Sequence, residues 1–501
     1  MKLKTKMLQI CFAFIAVIVW TTASWGGGAY DTAEMAAELA RLKCQNSALL
    51  ERLDELEKKI GAVAEKKEAK KAKGIVFKAH GSMVNVVGAS DNALHFKPNQ
   101  KSGSTDFFAY NGHSAGIKKY DPELSTYFGI SKARLRFEVG TADGLAKIVY
   151  GLEFGAYNWG NKDKGFGLSG DGLTQETRFG YAQFAVPKVK GNFVRIGLQP
   201  TKINHWVWTE TAPGITYHGK SGVLKYMLGW YRAEDDKGEF IRFDNERRND
   251  YYVVKVDGKV APNFKLGGFA IYEDQGAEKA VAGDIYNGHY YYIGLTGKGS
   301  SGPVFGNFDL IYQGGDIDFE NKALDDLDRS AYLLNGTIGY KVSDQAKVYF
   351  NALYVSGDDD PDDDDADNFD SIDVDVKIGM MFFKDSYLAA ADRFYSDAPY
   401  ISDKGLINLA LGGEYKFDAA NHLRLAVRLL KTAEDLVSGN KEEDDLGTEL
   451  DLWYTYKYNK NLALRLEAAY LFAGDATEEI LASNGDGDDF YYVGAGMKFK
   501  F

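Results

Sequence analysis

Cysteine is almost missing from this chain: Cys11 and Cys44 are the 2 among 501 residues. With so few, no disulfide framework, CxxC metal knuckle or CxxCH haem attachment can be built. Proline is scarce at 9, against 55 glycines, 32 tyrosines and 30 phenylalanines. That balance suits many strands crossing a bilayer, with Tyr and Phe massed at the lipid–water boundaries. Mean hydropathy is −0.32, which excludes a bundle of membrane-crossing helices. A basic excess is missing too: the formal net charge is −13, which argues against nucleic acid as a partner. None of the 7 histidines stands in an HExxH pair, and no cofactor or catalytic constellation emerges, so an enzyme is not expected.

What is present begins with an export segment. Lys2, Lys4 and Lys6 precede an apolar run from Leu8 to Trp20, too short to span as a mature helix, and Thr22, Ala23 and Ser24 supply small residues for cleavage. Residues 1–24 therefore read as a signal peptide. They hold three lysines and no acid, so their removal takes the formal charge from −13 to −16 and leaves Cys44 as the remaining thiol.

Met35, Leu39, Leu42, Asn46, Leu49, Leu53, Leu56, Ile60 and Val63 follow a 4-3-4-3 spacing. This is a heptad seam, with Leu39, Asn46, Leu53 and Ile60 at a. Glu38 faces Lys43, and Arg52 faces Glu57, across a parallel partner, so residues 25–65 read as an oligomerisation helix. Asn46 at an a position favours dimers. Cys44 falls at f, away from the seam. The lysine-rich stretch 66–74 reads as a solvated linker.

From residue 75 the period changes from 3.5 to 2. Tyr491, Val493, Ala495, Met497, Phe499 and Phe501 share one face of the last strand; Gly494, Gly496, Lys498 and Lys500 share the other. Similar alternation runs through Leu462–Phe472, Leu450–Tyr458, Leu423–Leu429, Tyr332–Tyr354 and Leu135–Val139. Short links at Asp143-Gly144, Asp257-Gly258, Ser343 to Ala346 and Asn459 to Asn461 separate longer polar stretches at 88–129, 157–173, 233–248, 357–370, 432–446 and 474–488. Short turns at one end and long loops at the other are the asymmetry of outer-membrane barrels. The fold expected for 75–501 is all-β, an antiparallel transmembrane β-barrel of about 18 strands, with 16 to 20 defensible and 191–232 and 371–404 ambiguous. A barrel of that size holds water.

Alternation places Arg134, Arg136, Lys147, Arg195, Arg424, Arg428 and Arg465 on the lumen side, with Glu138, Glu153, Glu414, Glu449, Asp451 and Glu467. A generally solvated lumen accounts for them; the sharper reading is an arginine ladder for small anions. Arg195 precedes Thr201 to Pro213, which reads as an inward constriction loop. The aspartates Asp363, Asp365 and Asp367, and Asp486 and Asp488, resemble fragments of calcium loops, though no complete loop pattern is present. Gly214 to Ser221 fits the P-loop pattern, but Val223 to Tyr231 reads as another strand rather than a helix. Gly165 to Gly170 fits the dinucleotide pattern without a βαβ context. Both are chance matches.

The chain thereby resembles trimeric porins of Gram-negative outer membranes, especially the DcaP-like type. The resemblance rests on the signal segment, the coiled coil at 35–63, the barrel from about 75, terminal Phe499 and Phe501, and the strand Phe193 to Gln199. It implies a homotrimer in outer-membrane lipid, delivered by the barrel-assembly machinery through its terminal Phe. It also implies a periplasmic coiled coil and passive diffusion of ions and small hydrophilic solutes, with anions such as dicarboxylates favoured. Trimer and dimer both stay open, because Asn46 and the resemblance pull apart. A different reading is a barrel that sheathes a larger conduit for polysaccharide export or electron transfer, and needs partner proteins.

Overall fold

The computed structural model describes residues 74–91, 93–95, 119–121, 125–155, 157–158, 175–235, 248–279, 285–321, 326–360, 363–383, 385–387, 398–401, 403–481 and 489–501, with Glu51 and Glu55. Glu51 and Glu55 are helical and exposed; the signal segment, the heptad seam residues, the linker 66–73, and Asp486 and Asp488 lie outside the described residues. Met1–Lys73 and Gly74–Phe501 are separate units, and the second is the barrel.

Its strands are β1 (Ile75–Asp91), β2 (Ser125–Thr141), β3 (Ala146–Phe154), β4 (Gln175–Ala185), β5 (Phe193–Pro200), β6 (Thr211–Ser221), β7 (Leu224–Asp235), β8 (Arg248–Ala261) and β9 (Phe264–Lys279). They continue as β10 (Ile285–Ser301), β11 (Val304–Phe319), β12 (Leu327–Lys341), β13 (Ala346–Val355), β14 (Leu406–Lys416), β15 (Asn421–Ser438), β16 (Lys441–Lys457), β17 (Leu462–Ala473) and β18 (Phe490–Lys500). Each pairs antiparallel with its sequence neighbours, and β18 returns to β1 with Ser82 opposite Lys500. The sheet is therefore an eighteen-stranded closed ring, with no free edge to recruit another chain. Two-residue bridges at Tyr157–Asn158 and Asp365–Ala366 are appended to it.

The pleat sorts the side chains. Along β14, Leu409, Leu411 and Tyr415 are exposed, while Leu406, Asn408 and Ala410 are buried. The exposed set is apolar around the ring, as a lipid-facing surface requires. Tyr252, Tyr272, Tyr291, Tyr312 and Tyr332 lie on that outer face towards the long-loop end, with Tyr291–Tyr312 and Tyr312–Tyr332 ring centroids 5.8 and 5.1 Å apart. Tyr415 with Phe417, and Phe499 with Phe501, mark the short-turn end. Two aromatic girdles bounding an apolar band are what a barrel needs at the two interfaces of a bilayer.

Two expected boundaries move. Asp257 and Gly258 are inside β8, paired with Gly267 and Leu266; the turn follows at 262–263. The stretch 432–446 is a hairpin rather than a long loop, turning at Gly439 with φ +64°. Its acidic residues carry the strands past the apolar band, since hydrated backbone pairs as well as lipid-bound backbone does. Gly214 to Ser221 is strand β6, paired on both sides, so the P-loop match has no loop to occupy.

Candidate functional site

An arginine facing the middle of a bilayer costs roughly 2–4 kcal/mol, so charge on these strands belongs inside the ring. Arg134 Nε meets Glu153 at 2.6 Å, and Glu153 also takes Arg178 at 2.9 Å, whose other arm reaches Glu210 at 2.7 Å. Arg136 pairs with Glu138, which holds Lys147 at 3.0 Å. Glu414 sits between Lys347 and His422 at 2.9 and 3.1 Å. Arg428 meets Asp451 at 2.9 Å, and Arg465 meets Glu467 at 3.1 Å. Arg195 differs: its Nε donates to Gln183 Oε1 at 2.9 Å, and its guanidinium rests on Tyr181 and Phe193. Among the described residues it has no carboxylate partner.

Two segments turn into the ring. The first, 201–210, closes on itself through Trp208 N to Asn204 O. Trp206 Nε1 and Asn204 Nδ2 donate to Asp309 on β11 at 3.1 and 3.2 Å, while Trp208 packs on Tyr231 and Tyr251. This is the inward loop expected at Thr201 to Pro213, ending earlier because β6 starts at Thr211.

The second segment lies where the sequence reads as an external acidic loop at 357–370 followed by the ambiguous stretch 371–404. Its described residues between β13 and β14 are 356–360, 363–383, 385–387, 398–401 and 403–405. Ile372 N donates to Val207 O at 2.9 Å, tying it to the first segment. Farther along, Met380 N and Met381 N donate to Glu449 Oε1 at 2.5 and 3.0 Å. Asp385 takes Arg424, its carbonyl accepts Trp453 Nε1 at 2.7 Å, and Tyr387 N donates to Glu467 at 2.9 Å. Lys132 on β2 approaches Asp375 at 3.8 Å. One stretch that touches the first segment near β11 and the walls β2 and β15 to β17 can lie only within the ring. Ile372, Val374, Val376, Ile378 and Met380 are buried at alternate positions along it.

That crossing changes the surroundings of the expected lumen residues. Glu449, Asp451, Glu467 and Arg428 face inward but are covered, with Glu449 at 0 % exposure. Arg134, Arg136, Glu138, Lys147, Arg195, Glu414, Arg424 and Arg465 keep partial exposure on the same face. Burial and the neighbouring Asp403 push Asp358, at the start of the segment, up to about 6; Lys404 opposes this.

Asp363, Asp365 and Asp367 do not converge as ligands. Among the described residues the group with three metal-capable atoms within 4.8 Å is His289, Asp316 and Asp318, on the outer face beyond the tyrosine girdle. Gly112 to Gly116 fits the GxSxG hydrolase pattern, but lies outside the described residues.

No protein-family model and no curated protein matches the chain. Its fold is similar to that of the outer membrane protein opdK from Pseudomonas aeruginosa, at 11 % identity and TM-score 0.50, over 85 % of this chain and 98 % of that chain. OccK8 (OprE) from the same organism matches at 12 % identity and TM-score 0.49, over 85 % and 98 %. The outer membrane channel DcaP of Acinetobacter baumannii matches at 14 % and 0.41, over 86 % and 99 %. At such identities likeness speaks for fold, and the closed eighteen-stranded barrel is an architecture found among outer-membrane proteins of known structure.

Proposed function

We propose that this chain is an outer-membrane channel through which ions and small hydrophilic solutes diffuse passively, its short-turn end in the periplasm. The observation that carries the reading is the ring itself: an apolar, aromatic-bounded exterior around a charged interior, narrowed by 201–210 and 356–405. A ring of 18 strands is wide enough for water. The residues placed on the inner wall, from Arg134 and Arg136 to Glu467, line the route or brace its constriction. Five of the arginines expected to attract anions are matched by carboxylates, and Arg195 is not. Preference for small anions therefore rests on Arg195 more than on an arginine ladder. The heptad seam at 35–63 holds the barrels together as a trimer, and Phe499 and Phe501 present the terminal strand to the assembly machinery.

The test is planar-bilayer recording of the purified oligomer under a salt gradient. Openings in groups of three are expected, with a reversal potential of anion-selective sign that moves towards cations in Arg195→Ala. A silent barrel sinks the channel reading; an unmoved potential in the variant removes Arg195 from the selectivity argument.

A further inference from the structure

Three lysines stand directly opposite one another on neighbouring strands: Lys259 of β8 is in register with Lys265 of β9, and Lys265 with Lys298 of β10. Like charges placed so repel and weaken a sheet unless something compensates them. Among the described residues no carboxylate lies within 4.0 Å of any of the three ammonium groups. The acids close by are engaged elsewhere. Asp257 leans towards Lys255 at 3.7 Å, and Asp309 already accepts from Asn204, Trp206 and Asn335.

The row lines a cavity of about 440 Å³, together with Lys225, Asp257 and Asp309. It opens on the inner wall at the short-turn end, on the strands whose Asp309 anchors the inward segment 201–210. Gly267 adds no side chain to its wall; a Cβ there would come within 2.6 Å of Asp257 Oδ1 and 3.0 Å of Thr296 Oγ1. Volumes of this order hold small ligands. An ammonium is a compact charge with three rotatable donors on a flexible stem, and several of them suit an anion that offers oxygens in more than one direction.

We propose that this cavity captures small multivalent oxyanions, molecules that carry two or more carboxylate or phosphate groups. The occupant supplies the negative charge that the lysine row lacks, and it sits where a solute leaving the constriction meets the periplasmic mouth. The proposal rests on the channel reading for the route to the site, though binding itself does not.

The full chain in detergent is titrated calorimetrically at low salt with pyrophosphate and, separately, with citrate. Binding of at least one is expected, weakened about tenfold or more in K259Q/K265Q/K298Q. K265Q alone should fall between, and K188Q, in the exposed turn before β5, should match wild type. Heat from pyrophosphate alone assigns phosphate groups, from citrate alone carboxylates, and from both their shared chemistry. Equal affinity in wild type and the triple variant, or no heat in wild type from either probe, overturns the proposal. Retained barrel heat-modifiability shows that the variants are folded. A chain that binds but carries no current in a bilayer defeats the channel reading and keeps the site; one that conducts without binding does the reverse.

Discussion

Two stretches of the inner wall both carry several cations, and they hold them in opposite ways. On β15 to β17, Arg424, Arg428 and Arg465 each meet a carboxylate, and the crossing segment seals most of that cluster from water. On β8 to β10, Lys259, Lys265 and Lys298 face one another, stay exposed and, among the described residues, have no carboxylate within 4.0 Å of their ammonium groups. In sequence both sets are scattered basic residues on the inward parity of their strands, and nothing there separates one from the other. In the fold the first is mechanical: its charges clamp 356–405 across the ring. The second contributes nothing to cohesion, and its field remains available to a solute. Net charge on a wall therefore predicts selectivity poorly until each cation's partner is known.

The largest effect that sharpens this contrast is on stability. Arg428→Ala leaves Asp451 and Glu449 buried without their cation, a change that costs about 3–5 kcal/mol in comparable buried pairs. Its denaturant midpoint in detergent should fall well below wild type. Lys265→Gln relieves two like-charge contacts and should shift the midpoint by less than about 1 kcal/mol, upward if at all. Equal losses in the two variants would erase the distinction between the walls.

Next comes conductance. Excising 374–383 removes the part of the crossing segment between its tie to Val207 and its bonds to Glu467. Single-channel conductance should rise at least about twofold, because an eighteen-stranded ring is wide without it. An unchanged conductance would mean that the narrowest point lies elsewhere, with 201–210 the first candidate.

The sequence alone foretells the ring well. A period of two, apolar outside and charged inside, is imposed on every strand by lipid on one face, and it survives in Leu464, Leu466 and Phe472 as in Leu425, Val427 and Leu429. The eighteen strands follow from it. The crossing segment was hidden by the same rule. Ile372, Val374, Val376 and Ile378 alternate like a lipid-facing strand, yet their apolar side chains bury inside the ring against other parts of the chain. Alternation reports that one side is dry and does not say whether lipid or protein dries it. The lysine row was missed for another reason: its members are 6 and 33 residues apart in sequence, and only strand register makes them neighbours. Ion pairing was equally invisible. The parity of Arg134 or Arg465 gives the face, whereas Glu153 and Glu467 as partners depend on register and rotamer.

The smallest expected effect concerns where the crossing segment leaves the wall. Asp358 N donates to Asp403 O at 2.8 Å, and Lys404 Nζ donates to Asp358 O at 2.5 Å, so the root of the segment is fastened by backbone bonds beside a buried carboxyl. Burial and Asp403 raise that carboxyl from its ordinary 3.8 to about 6, with Asp363 and Asp367 adding in the same direction and Lys404 opposing. Because the released segment ionises at the lower value, the fastened state carries no penalty below about pH 4. The penalty grows as pH rises to about 6 and is complete above it. The root should therefore hold more tightly in acid. Amide hydrogen exchange of 356–360, corrected for intrinsic rate, should show protection falling across that window in wild type. In Asp358→Asn most of the slope should go, leaving what Asp403 contributes, since burial pushes that carboxyl up as well. A flat wild-type profile would mean that the backbone bonds fasten the root regardless of charge, placing it with the clamped wall rather than between the two.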